Sequence, residues 1–190
     1  MFRRNHIAGR SLPVIATALV GLLFAAASLQ AQQSGGGSSG EALFGFSGGT
    51  LIGTRIVTQN SPTTTGSAAF VALPSASIAA TVPAGASRLL VVRFTGECRM
   101  RTTGTNGNDW VEIRVVRNPG AIPLQPNDVA SAQALCGANS YNMNGGIWAV
   151  RLPAGAYSIQ VQWRVVDSAP LNPGLSGWLD DWTMEVDTFI

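Results

Sequence analysis

The stretch Tyr157-Ser158-Ile159-Gln160-Val161-Gln162-Trp163-Arg164-Val165 decides the fold. Its odd-numbered side chains are apolar or aromatic and its even-numbered ones are polar, and a two-residue period belongs to an extended strand with one wet face and one dry face. The same alternation runs outward from it in both directions. Arg88–Cys98 sets Leu90, Val92 and Phe94 against Arg93, Thr95 and Glu97, and Trp110–Arg117 sets Val111, Ile113 and Val115 against Glu112 and Arg114. Shorter candidates lie at 50–58, 68–72, 77–82, 146–152 and 181–188. They are rich in Val, Ile, Thr and aromatics, and turn-forming clusters such as Pro83-Ala84-Gly85, Thr105-Asn106-Gly107-Asn108 and Pro153-Ala154-Gly155 separate them. From residue 42 onward no stripe with a 3.6-residue period competes. Eight or so strands, each with one apolar face, must cover those faces with a second sheet. The expected fold is therefore all-β: a two-sheet antiparallel sandwich, jelly-roll or immunoglobulin-like. Residues 121–142 break the rhythm and read as a long loop with one helical turn near Val129–Leu135.

The N-terminus has a different character. Arg3, Arg4 and Arg10, with no acid among them, precede an apolar run from Leu12 to Leu29. That is the charged and apolar pair of regions of a secretory signal peptide, with a cut after Ser28 or Ala31. Retention as an anchor is the alternative, since about 17–25 apolar residues can span a membrane. The division that follows is a signal peptide over 1–31, a flexible Gly/Ser-rich tether over 32–41 and the sandwich domain over 42–190. The destination is the medium, the periplasm or the cell surface, with no membrane contact after cleavage.

Charge and composition then exclude whole classes of chemistry. All 12 basic residues are Arg, and the only His is His6, inside the leader. A lysine Schiff base and an imidazole base are thus ruled out of the mature protein. Removing the leader takes away three Arg and no acid, leaving 9 basic against 10 acidic side chains, so the formal charge of +2 becomes −1. No concentrated basic face remains for nucleic acid. No cofactor is implied. Two cysteines, Cys98 and Cys136, give a poor metal set without His. Export favours an internal disulfide between them, with a buried free pair or an intermolecular bridge as alternatives.

Leu152-Pro153-Ala154-Gly155-Ala156-Tyr157-Ser158-Ile159-Gln160-Val161 resembles the L-x-A-G-x-Y-x-V edge of secreted β-sandwich modules, and Val82-Pro83-Ala84-Gly85-Ala86 looks like a second use of that device. With the closing Leu179-Asp180-Asp181-Trp182, residues 80–187 are similar to small exported bacterial β-sandwich proteins of unknown function. The resemblance implies an architecture in which the Tyr packs at a sandwich corner. It implies no catalytic residue.

The candidate sites lie on the outward sides of the strands. Arg93, Glu112, Arg114 and Gln162, with Gln160 and Arg164, offer groups that hydrogen-bond a polar ligand or another surface protein, or that pair with one another, Arg93 with Glu112 for example. Trp110 and Trp178 flank turns and are placed to stack on a sugar ring. Asp180 and Asp181 are neighbours that a strand would aim at opposite faces unless a bulge intervenes. The Asn106-Gly107-Asn108-Asp109 loop lacks the ligand spacing of a calcium loop. Glycoside hydrolysis needs only two carboxylates, and a hairpin centred near 103–104 would make Glu97 and Glu112 diagonal neighbours. The leading expectation is a non-catalytic exported module for binding, adhesion or envelope structure. A carbohydrate-active enzyme using Glu97 and Glu112 and a self-assembling surface or filament subunit are the alternatives.

Overall fold

The computed structural model describes residues 49–101, 109–125, 132–137, 141–168 and 174–190. The expected leader and tether, residues 42–48, and the Thr105–Asn108 turn lie outside these. Within them every regular element is a strand: β1 Leu51–Gln59, β2 Thr63–Thr65, β3 Val71–Arg101, β4 Trp110–Asn118, β5 Ile122–Pro123, β6 Gln133–Gly137, β7 Tyr141–Val166 and β8 Ser176–Phe189. All pairings between them are antiparallel, in the order β1-β8-β3-β7-β4-β5, with β2 on β8 and β6 on β4.

Two very long strands make one hydrogen-bonded ladder into two layers. β3 and β7 pair with each other on both sides of a corner, at which Val82 opposes Gly155 and Ser87 opposes Pro153. Between those pairs β3 carries Pro83, Ala84, Gly85 and Ala86, while β7 carries only Ala154. The extra residues on one strand bend the ladder as a large bulge does. Proline has no N–H to offer the ladder, and Gly85 sits at φ 73°, where a side chain would be strained. The two Pro-Ala-Gly-Ala segments read as turns between strands are thus corners inside strands, facing each other. Tyr157 stands at this corner and its hydroxyl donates to the Pro153 carbonyl at 3.1 Å.

Beyond the corner, β1, β8, the second part of β3 and the first part of β7 form one layer, called sheet A below. The first part of β3, the second part of β7, β4, β5 and β6 form the other, sheet B. Between the layers lies one core containing Leu90, Val92, Phe94, Val111, Ile113, Val115, Trp148, Val161, Trp163, Trp182 and Met184. Trp163, expected in the core, is 1% exposed. Close approach of the sheets is visible at Gly177 on β8, where an added Cβ would meet Val111 Cγ2 at 2.7 Å. Cys98 on β3 and Cys136 on β6 are joined by a disulfide that staples sheet A to sheet B.

Part of the expected loop over 121–142 is regular. Gln133–Gly137 is strand β6, paired with β4, so the helical turn expected near 129–135 is not formed there. Residues 129–131 lie outside the described set. β4 offers a long edge, and a short, half-buried segment satisfies it better by pairing than by coiling. Leu124 and Gln125 then cross between the layers, bonding Val115 on β4 and Ala149 on β7.

Candidate functional site

The strand alternation leaves three side-chain clusters on the two outer faces. The first, on sheet B, collects most of the expected outward residues. Glu112 is opposite Arg164 and Arg114 is opposite Gln162 on β7. The Glu112 carboxylate accepts from the Trp110 indole at 2.9 Å and from Arg164 at 2.7 Å, while Arg114 donates to Gln162 Oε1 at 2.9 Å. Both guanidinium groups lie over the Phe70 ring, at 4.1 and 4.5 Å from its centroid. Burial, and then the charge of Arg164, push Arg114 below its ordinary value. Each partner here is already used by another, so this cluster is a self-satisfied polar face. Trp110 spends its N–H on Glu112 and is half-buried.

The second cluster corrects the expected Arg93–Glu112 pair. β3 does not pair with β4; its neighbours are β7 and β8, so Arg93 and Glu112 lie on different sheets. Arg93 instead donates to Glu185 at 2.7 Å and to Asp187, and Thr54 donates to Asp187 at 2.6 Å. Burial alone would raise the Asp187 carboxyl, but the bonds from Thr54 and Arg93, with the charge of Arg93, outweigh it and hold the carboxyl below its ordinary value. The same pairing removes the geometric basis for two carboxylates acting together. Glu97 faces Met143 and Asp180 on sheet A, whereas Glu112 is buried on sheet B. Between Thr95 and Glu97 the register with β8 slips, and Asp181 takes a positive φ of 43°. This is the bulge that separates Asp180 from Asp181.

The third cluster lies at the far end of sheet A's outer face. Trp178, Arg99 and Tyr141 form one row across β8, β3 and β7. The Tyr141 ring stacks on Trp178 with centroids 5.3 Å apart and planes 26° apart. Arg101 lies 5.6 Å from the Trp178 centroid and Arg99 5.9 Å from that of Tyr141. Trp178 is buried beneath the tyrosine, while Tyr141 is 54% exposed. Partial desolvation raises the Tyr141 hydroxyl above its ordinary value, helped by the charge and hydrogen bonding of Glu97 and by Asp180, against Arg99. Along β7 the same face continues through Met143 and Ile147, both exposed. Of the expected ligand residues only Trp178 belongs here. Tyr141 was missed because 121–142 read as loop, and Arg99 and Arg101 because their strand was read to end at Cys98. The signal for Tyr141 was present, since Tyr141, Met143 and Ile147 share one parity.

Asp109, from the expected oxygen-rich loop, is buried and accepts from the Ser168 amide and hydroxyl at 2.9 and 3.1 Å. Among the described residues no three of His, Cys, Asp and Glu come together as a metal site would need, and no helix is long and apolar enough to cross a membrane.

No protein-family model matches the chain, and no curated protein matches it in sequence. Among solved structures it is similar to the VP2 subviral particle of infectious bursal disease virus, with TM-score 0.42 and 11% identity over 73% of this chain and 33% of that one. A second structure, of the Gt strain of the same virus, gives TM-score 0.38 and 12% identity over 84% of this chain and 37% of that one. The chain thus spans about a third of the length of these structures.

Proposed function

We propose that this protein is an exported, non-catalytic β-sandwich module that binds glycan on the outer face of sheet A, with Tyr141 as its platform. The observation that carries this reading is the exposed tyrosine ring, held flat by Trp178 and bordered by Arg99, Arg101, Glu97 and Asp180. A sugar presents an apolar ring face to an aromatic and hydroxyls to charged neighbours, and the cluster offers both in one row. Ring-on-ring packing fixes the tyrosine before a ligand arrives, which lowers the entropy lost on binding. The apolar strip through Met143 and Ile147 extends the platform along β7. The disulfide between the sheets suits an oxidising compartment. The absence of His and Lys after residue 6, and the placement of Glu97 and Glu112 on different sheets, favour binding over hydrolysis.

A glycan array with the purified protein, followed by titration of the best ligand, tests this. Tyr141→Ala is expected to weaken binding at least about tenfold, as loss of a central aromatic anchor does, while the melting temperature moves little. Binding unchanged in that variant, or no glycan bound at all, refutes it. Exposed Leu51, Ile52 and Ile56 on the edge strand β1 favour a second reading, assembly between copies. A single monomeric species in sedimentation over a wide concentration range excludes that one.

A further inference from the structure

The charges around the Tyr141 platform are not balanced against one another. Among the described residues, ion pairs join Arg93 to Glu185 and Asp187 and Arg164 to Glu112, and neither Arg99 nor Arg101 takes part in one. Both are exposed on the outer face of β3, two positions apart. Arg99 is opposite Trp178 and Tyr141, and Arg101 is opposite Ser176 one row further out. Aromatic rings hold them instead of acids, Arg99 over Tyr141 and Arg101 over Trp178. Residues 102–108, 138–140 and 169–173, which fall between the described strands, contain no Asp or Glu. The platform's own acids stand one row inward and are engaged. The Glu97 carboxylate accepts from the Tyr141 hydroxyl, and Asp180 accepts from the Asp181 amide at 2.9 Å.

We infer that the platform takes an acidic glycan, whose carboxylate or sulfate seats on Arg99 and Arg101 while a sugar ring lies on Tyr141. This rests on the glycan reading of the same face and narrows it to a charge class. A guanidinium stacked on a ring keeps its N–H edge available, and that edge meets two oxygens of a carboxylate or sulfate with parallel bonds. Such a group is also weakly hydrated, so little solvation is lost when an anion displaces its water. Stacking orders two long side chains in advance, which removes part of the entropic cost of binding. The same face has an opposite pole. Glu97 and Asp180 repel an anion one row inward but accept from sugar hydroxyls there. The ligand's charge is thereby directed to the Arg101 end of β3 and its neutral hydroxyls to the Glu97 end.

The test is an array that carries each acidic glycan beside its neutralised counterpart, uronic acids as methyl esters and sulfated sugars after desulfation. The two arms tell carboxylate from sulfate. Acidic forms are expected to bind at least about tenfold more tightly than their counterparts, the size of a charge-assisted pair, and the ratio should fall as salt is raised. Arg99→Gln/Arg101→Gln is expected to bring the ratio to about one while the neutral forms still bind. Arg88→Gln/Arg151→Gln removes the same charge at the corner, away from the platform, and should leave the ratio as in the wild type. Glycan binding with equal or greater affinity for the neutral forms overturns this inference and leaves the glycan reading standing, whereas no glycan bound overturns both. A preference that survives in Arg99→Gln/Arg101→Gln, or is lost equally in the corner variant, also overturns it. So does an oligonucleotide or polyglutamate held as tightly as the best acidic glycan.

Discussion

Reduction or removal of the Cys98–Cys136 disulfide has a size that follows from where it lies. Its ends are 38 residues apart in sequence and on different sheets. Closing a loop of that length restricts the unfolded chain by about 4 kcal/mol at 25 °C on the chain-entropy argument. The folded side changes far less, because both cysteines are buried among apolar neighbours and two thiols occupy nearly the same space. A body of this size has a total stability on the order of 10 kcal/mol, so the staple contributes a large fraction of it. Urea unfolding of the wild type, with and without reductant, and of Cys98→Ala/Cys136→Ala measures the difference. The expected loss is about 3–4 kcal/mol with an increased m-value, since the uncrosslinked unfolded chain exposes more surface. A loss under about 1 kcal/mol would refute the assignment of its effect to the unfolded state.

Three further outcomes follow from single residues. Glu112→Gln keeps the shape of the sheet B network but removes the ion pair with Arg164, whose side chain is 30% exposed, so a loss of about 1–2 kcal/mol in denaturant unfolding is expected. Gly145→Ala would set a Cβ 2.2 Å from the Phe94 carbonyl oxygen, so β7 must move from β3, and a cost above about 2 kcal/mol should appear as a lowered melting temperature. Asp187 holds its proton less readily folded than unfolded. Its contribution is therefore complete above the unfolded value near about 3.9 and is lost as pH falls through the lower folded one. Acid titration of stability should accordingly be shallower below about pH 4 in Asp187→Asn than in the wild type.

The parts of the fold that were legible in the sequence are those set by local alternation. Ile159, Val161 and Trp163 announce a buried face because each is separated from the next by a polar residue, and all three are buried. Pairing was not legible, because it depends on which edges meet after the chain has bent. Arg93 and Glu112 both point outward, as their parity requires, yet the partners that reach Arg93 lie over ninety residues away on β8. The Pro-Ala-Gly-Ala segments carry turn chemistry, and turn chemistry is what a corner within a strand also needs. Tyr141 escaped notice for a related reason. Its stretch runs Asn144 and Gly146 along the inward parity, and a strand whose apolar residues face outward does not look like one that builds a core.

The order of β1, β8 and the Tyr141 row also settles how a pull on the molecule would be carried. β1 starts at Leu51, opposite Phe189, and ends at Gln59, opposite Trp182, so it runs toward the end of β8 that holds Trp178. A force drawn between Gly49 and a ligand at Trp178 and Tyr141 therefore acts along the strands and loads the β1–β8 bonds side by side, in shear. The same force applied between Gly49 and Ile190, which sit together at one end, would open those bonds one after another. A module held by its N-terminus and loaded through its platform resists in the stronger of these two directions.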